Sequence, residues 1–201
     1  VSTRPKAAAA GVLAVAVLSG CGVAQQSGRA APDPAAETKQ TGELALAQRT
    51  KELTLHGVDP CRLLTDAQLD ELKENGLPEL VDAKDQRDGP TCAFRVDAKA
   101  PHYTYYLETI TTADLQDWLT GKHKKSSMTK EPVNLPGFPA LKNYRAGERP
   151  QDCETLVGVA PGQTLRAQMA PTTEGAFDQR QMCDMATQVA SMALQTLEAR
   201  K

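Results

Sequence analysis

The most regular hydrophobic pattern lies near the C-terminal end of the chain. From Asp178 to Ala199, residues Met182, Met185, Ala186, Val189, Ala193 and Leu197 form one apolar stripe at helical spacing. That period predicts an amphipathic helix with one face toward a core. A methionine stripe can also line a promiscuous binding groove. Here the strands upstream need a cover, so core packing is the reading adopted.

A second pattern has a period of two. In Thr91–Asp97, Cys92, Phe94 and Val96 share one face, while Thr91, Ala93, Arg95 and Asp97 share the other. This predicts a strand with one buried face. Tyr103–Thr111, rich in aromatic and β-branched residues, predicts a second strand, with Ala98–His102 as the hairpin connection. Lys130–Leu135, Ala140–Ala146, Cys153–Ala160 and Gln163–Ala170 read as further strands, punctuated by turns at Pro136-Gly137 and Pro161-Gly162. Thr65 with Gln68 resembles a capping box, opening a helix that carries Leu69 and Leu72 on one face and stops at Asn75-Gly76. Thr112–Lys122 predicts a second, short helix through Leu115, Trp118 and Leu119. Together these elements predict an α+β domain: a mainly antiparallel sheet of about five or six strands with helices packed on one face.

The N-terminal pattern differs. Arg4 and Lys6 precede an apolar run of eleven residues, Ala7–Val17. The run fits a signal peptide and is short of the roughly 20 residues a spanning helix needs. Leu18-Ser19-Gly20-Cys21 matches a lipobox: an aliphatic residue, two small residues that let extended backbone enter a peptidase site, then cysteine. The Cys21 thiol can form a thioether with a diacylglyceryl group, and cleavage between Gly20 and Cys21 would free its amine. Two acyl chains hold a protein on a membrane stably, whereas one gives marginal binding. Gly22–Lys39 is rich in Ala, Gln, Gly, Ser and Pro and predicts a flexible tether. A tether of about 30 residues spans roughly 30 Å. Glu43–Leu55 admits either a loose helix or an approach strand, placing the domain start between residues 45 and 58. The organisation adopted is signal peptide 1–20, lipidated N-terminus and tether 21–55, and one extracytoplasmic domain 56–201.

Composition narrows the function classes. The chain has 23 basic and 25 acidic residues, which excludes the strongly basic signature of a nucleic-acid binder. Removing residues 1–20 leaves 21 basic against 25 acidic residues, so the lipid, not surface charge, must hold the protein to the membrane. Aromatics are only 4% and much of the apolar content is alanine, so the core is thin for the length.

A thin exported core is often reinforced by disulfides. Cys61, Cys92, Cys153 and Cys183 permit three pairings. Cys61–Cys92 with Cys153–Cys183 is favoured, because each bond then ties a cysteine at the start of a helix to one on a strand. A zinc site is the rival use, but neither C-x-x-C nor H-x-x-x-H spacing occurs.

The order of lipobox, DPCRLLT (Asp59–Thr65), CAF (Cys92–Phe94), LPGFPA (Leu135–Ala140), Cys153 and MCDMATQVASMALQTL (Met182–Leu197) resembles the actinobacterial lipoproteins named domain of unknown function 3558. The resemblance covers about Val58–Leu197. It implies an envelope lipoprotein with paired cysteines and no established activity. The family commonly repeats Asp-Pro-Cys before the last helix; this chain has Gln181-Met182-Cys183 instead.

No nucleophile elbow, phosphate loop or dinucleotide fingerprint occurs, so no cofactor is implied. His56, His102 and His123 fall in loops or edges without metal-ligand spacing, and Asp114 and Asp117 fit the exposed first turn of a helix. The contact candidates are Tyr103, Tyr105 and Tyr106 on the second strand and the basic run Lys122, Lys124, Lys125, continued by Lys130. The leading expectation is a non-enzymatic binding or accessory lipoprotein on the extracytoplasmic face of the cell membrane, meeting an envelope protein or small ligand. The alternatives are a hydrolase-like envelope enzyme and a regulatory partner of a membrane sensor or transporter. A pocket holding two carboxylates, or a His–carboxylate pair, would favour the enzyme.

Overall fold

The computed structural model describes residues 44–82, 85 and 87–200. The predicted signal peptide, Gly20, Cys21 and the tether as far as residue 43 lie outside these residues.

The period-two segments pair as the alternation requires. Thr91–Val96 (β2) lies antiparallel to Tyr103–Ile110 (β3), with Cys92 opposite Leu107 and Phe94 opposite Tyr105. Thr129–Leu135 (β4), Phe138–Tyr144 (β5), Cys153–Ala160 (β6) and Gln163–Pro171 (β7) form an antiparallel meander. The predicted Pro-Gly turns close β4–β5 and β6–β7, with Gly137 at φ 93° and Gly162 at φ 70°, a region that disfavours any side chain. β7 then pairs with β3, and among the described residues the sheet has seven strands rather than five or six. The additional strand is Glu79–Leu80 (β1), which pairs with β2 at the edge. Both its residues are exposed, so no buried face imprints an alternation on the sequence.

The front face carries the main core. The helix Gln179–Ala199 (α3) opens with a capping box from Asp178 and Gln181 and lies on β6 and β7. Its Met182, Ala186, Val189 and Ala193 meet Val157, Leu165 and Met169. The first helix, Asp66–Glu71 (α1), has the predicted capping box from Thr65 and Gln68. Leu63, Leu64 and Leu72 around it complete the core over Phe94 and Val96. The disulfides join Cys61 to Cys92 and Cys153 to Cys183, the pairing favoured from sequence.

The helices do not all share that face. Gln116–Leu119 (α2) is only four residues long and sends Trp118 into a separate cluster with Ile110, Leu141 and Leu156. Those three side chains alternate away from α3, so the cluster lies on the reverse face. After β3 the chain must cross to the far edge of the sheet to begin β4. With α3 on the front, the crossover runs behind and takes Leu115 and Trp118 with it.

Residues 44–55 belong to the packed body, although the sequence reading assigned them to the tether. Leu44 and Leu46 pack on the reverse cluster, while Leu53 and Leu55 are buried in the main core. Between them the strap rounds the end of the sheet: the Thr50 and Lys51 N–H groups donate to the Gly137 carbonyl, and Leu53 N–H donates to Val159 O at 3.0 Å. The strap serves two surfaces in turn, so no single period marks it. Among the described residues, no helix is long and apolar enough to cross a membrane.

Candidate functional site: a polar recess on the reverse face

Beyond the Trp118 cluster, the reverse face turns polar. Register sets this row. Glu108 of β3 stands opposite Arg166 of β7, Gln168 of β7 opposite Glu154 of β6, and Glu154 opposite Asn143 of β5. Neighbouring positions of this kind bring side chains into direct contact across strands. Asn143, Glu154, Arg166 and Gln168 form one wall of a recess of about 600 Å³, with Glu108 bonded to Arg166 behind it.

Two loops cover the row. The first reaches it through Gly89, whose N–H donates to Glu108 Oε1 at 2.7 Å. A Cβ on Gly89 would stand 2.3 Å from the Thr109 carbonyl oxygen, so only glycine permits this approach. Asp88 in this loop takes Arg166 Nη1 at 3.1 Å, and Arg87 donates to Gln168 Oε1 at 2.9 Å while lying over the Tyr106 ring. The second loop places His123 in a stack on Trp118, with Nδ1 3.6 Å from Asp88 Oδ1.

Arg166 is the hub. Its Nε donates to Glu108 Oε2 at 2.7 Å, Nη2 bonds the same carboxylate, and Nε lies 3.7 Å from Glu154. Its side chain is 12% exposed and that of Glu108 only 1%. Burial opposes the charge on Arg166, but Glu154 and Glu108, joined by Asp88, outweigh it and hold its pKa above the ordinary arginine value. Glu154 is balanced the other way. Burial pushes its carboxyl above the ordinary range, Arg166 and the Asn143 amide pull it back, and Asp152 and Glu108 add to the rise.

The rise has a consequence for stability. A raised folded-state pKa means that the folded domain holds this proton more tightly than the unfolded chain does. The contribution of Glu154 is therefore complete below about pH 4.5 and is lost as pH rises through the folded value. Glu154→Gln keeps an acceptor for Asn143 and should flatten the fall of unfolding free energy with pH above that point. Urea unfolding at stepped pH checks this, and identical slopes in the two proteins would remove the assigned burial cost.

The recess holds both arrangements that would favour an enzyme, a carboxylate pair and a His–carboxylate pair. Their state is informative. Glu108 accepts from Gly89 N–H on one oxygen and from Arg166 on the other, so it serves as a structural counter-charge. Two buried atoms at the recess have no hydrogen-bond partner among the described residues, His123 Nε2 and Asn143 Oδ1. Among those residues no group of three or more His, Cys, Asp or Glu side chains is placed to hold a metal ion.

Of the contact candidates, Tyr106 and Lys125 line the recess. Tyr103 and Tyr105 turn to the front face, where Tyr105 is buried and Tyr103 packs edge-on against Phe177. Lys122 is exposed and donates to the Thr112 carbonyl, and Lys124 is exposed. Lys130 stands opposite Asn143; burial and the neighbouring Lys124 lower its pKa, and Glu154 pulls it part of the way back. Glu108, Asn143, Glu154 and Arg166 were not among the residues singled out from sequence. The available signal was a charged or amide residue inside each of four predicted strands.

A family model described as "Protein of unknown function (DUF3558)" matches residues 16–196. No curated protein and no solved structure matches the chain. With the family model spanning most of its length, the chain belongs to the DUF3558 family of proteins of unknown function.

Proposed function

We propose that this protein is a lipid-anchored extracytoplasmic module that holds a small polar ligand in the reverse-face recess. The observation that carries the binding reading is the pair of buried, unpartnered atoms, His123 Nε2 and Asn143 Oδ1, at a recess of ligand size. A buried polar atom without a partner costs about 1–3 kcal/mol, a cost that a ligand supplying the missing partner relieves. The lipobox ending at Cys21 and the two disulfides support export and anchoring. A hydrolase-like reading draws on the His123–Asp88 pair, but Glu108 has both oxygens engaged and Arg166 directs Nε, Nη1 and Nη2 at carboxylates. Positioning, rather than proton transfer, is what this network does best.

Mass spectrometry of protein extracted gently from membranes tests both halves. The intact unreduced chain should begin at Cys21 with diacylglyceryl mass, and its native spectrum should carry a small-molecule adduct. An unmodified start overturns the anchor. A bare native spectrum at every detergent condition overturns the binding reading, and an adduct recovered as cleaved halves transfers it to a hydrolase.

A further inference from the structure

The recess has a chemical preference, and this inference rests on the binding reading above. We propose that its ligand is a small organic cation carrying a protonated primary amine, with N–H groups directed at Asn143 Oδ1 and the neighbouring carboxylates.

Asn143 supplies the first argument. It is 4% exposed, and its Nδ2 donates to Glu154 Oε1. This bond turns the amide nitrogen toward Glu154 and leaves the carbonyl oxygen as the open group. That oxygen needs a donor. When His123 Nδ1 carries its proton toward Asp88, Nε2 is a second open acceptor. A ligand that completes the recess therefore brings donors.

Charge gives the second argument. Asp85, Asp88, Asp152 and Glu154 line the recess, and Glu108 lies directly beneath it. Against them stand Arg87, Lys125 and Arg166, with Lys130 at the margin, so among the described residues acidic side chains outnumber basic ones five to four. The guanidinium groups are already committed: Arg166 to carboxylates, Arg87 to Gln168 and the Tyr106 ring. An anionic ligand would meet a lining richer in acidic than in basic side chains, without a free arginine fork to receive it. A bare metal ion is disfavoured, since among the described residues three acidic, His or Cys ligands do not converge. A compact ammonium with three donors satisfies both the open acceptors and the charge.

Isothermal titration calorimetry on the folded full chain tests this with paired probes. Glucosamine and N-acetylglucosamine differ by one acetyl group, which removes the charge of the nitrogen; cadaverine supplies an amine without a sugar, and glutarate an anion of similar length. Glucosamine or cadaverine should bind at least tenfold more tightly than N-acetylglucosamine and glutarate. Asn143→Leu should weaken amine binding at least tenfold. Should that variant fail to fold, Glu154→Gln should weaken it in the same direction. Equal or tighter binding of either non-cationic probe overturns the amine assignment while leaving the binding reading standing. Absence of amine binding at millimolar concentration also overturns the assignment, and the adduct experiment above then judges the wider reading separately.

Discussion

Replacing Arg166 with methionine should cost the domain about 3–5 kcal/mol, the range for removing one partner of a buried ion pair. The cost arises from what remains. Glu108 is 1% exposed and, among the described residues, keeps only the Gly89 N–H as a donor once the guanidinium has gone, while Glu154 and Asp88 lose the same cation. Removing both charges tells a different story. The double variant Arg166→Met with Glu108→Leu should recover part of the loss, because it removes the Glu108 charge that the single variant strands, while Glu154 and Asp88 still lack the cation. Urea unfolding of the two single variants and the double measures this as a coupling energy. Additive losses would show that the two side chains do not depend on one another. The exposed pair Arg95–Glu79, at 56% and 65% exposure, is the internal comparison. Breaking it should cost at most about 1 kcal/mol.

Removing the Cys153–Cys183 bond by a double alanine substitution should cost about 3.5 kcal/mol, from the loop-closure entropy of a segment of 30 residues. A domain of this size loses roughly 2–4 °C of melting temperature per kcal/mol, so the midpoint should fall by about 7–14 °C. The fold should persist, because Met182, Ala186, Val189 and Ala193 still hold α3 on the sheet. The Cys61–Cys92 bond closes a nearly equal loop, with a sequence separation of 31, and its removal should cost a similar amount. Thermal unfolding monitored by circular dichroism gives both numbers. A shift of under about 2 °C for either pair would show that the bond does not constrain the unfolded chain as the entropy model requires.

Legibility followed the burial of one face. The α3 stripe presents one apolar side to a single surface, as do Cys92, Phe94 and Val96 of β2, and their periods appear directly in the residues; the expectation that the other face of β2 is exposed holds only at Arg95, because Thr91 and Ala93 are buried as well. β1 has two exposed residues and left no pattern. Residues 44–55 touch the reverse cluster and then the main core, so their leucines obey two surfaces and no common period. The candidate site was hidden for a related reason. Glu108 and Arg166 are 58 residues apart and lie on strands that read as ordinary half-buried segments. Only the pairing of β3 with β7, after a crossover and a three-strand meander, places them side by side.

What the amino-acid order settled alone was local: which segments become strand or helix, where Pro-Gly turns fall, and which cysteines suit one another. Those features depend on neighbours a few residues apart, within reach of side-chain size, charge and backbone preference. The tertiary structure decided which face each helix covers, where the strap packs, and that scattered acids, one arginine and one asparagine share a recess. Those outcomes depend on strand order and register, and a local period cannot encode which distant strand a segment will find beside it.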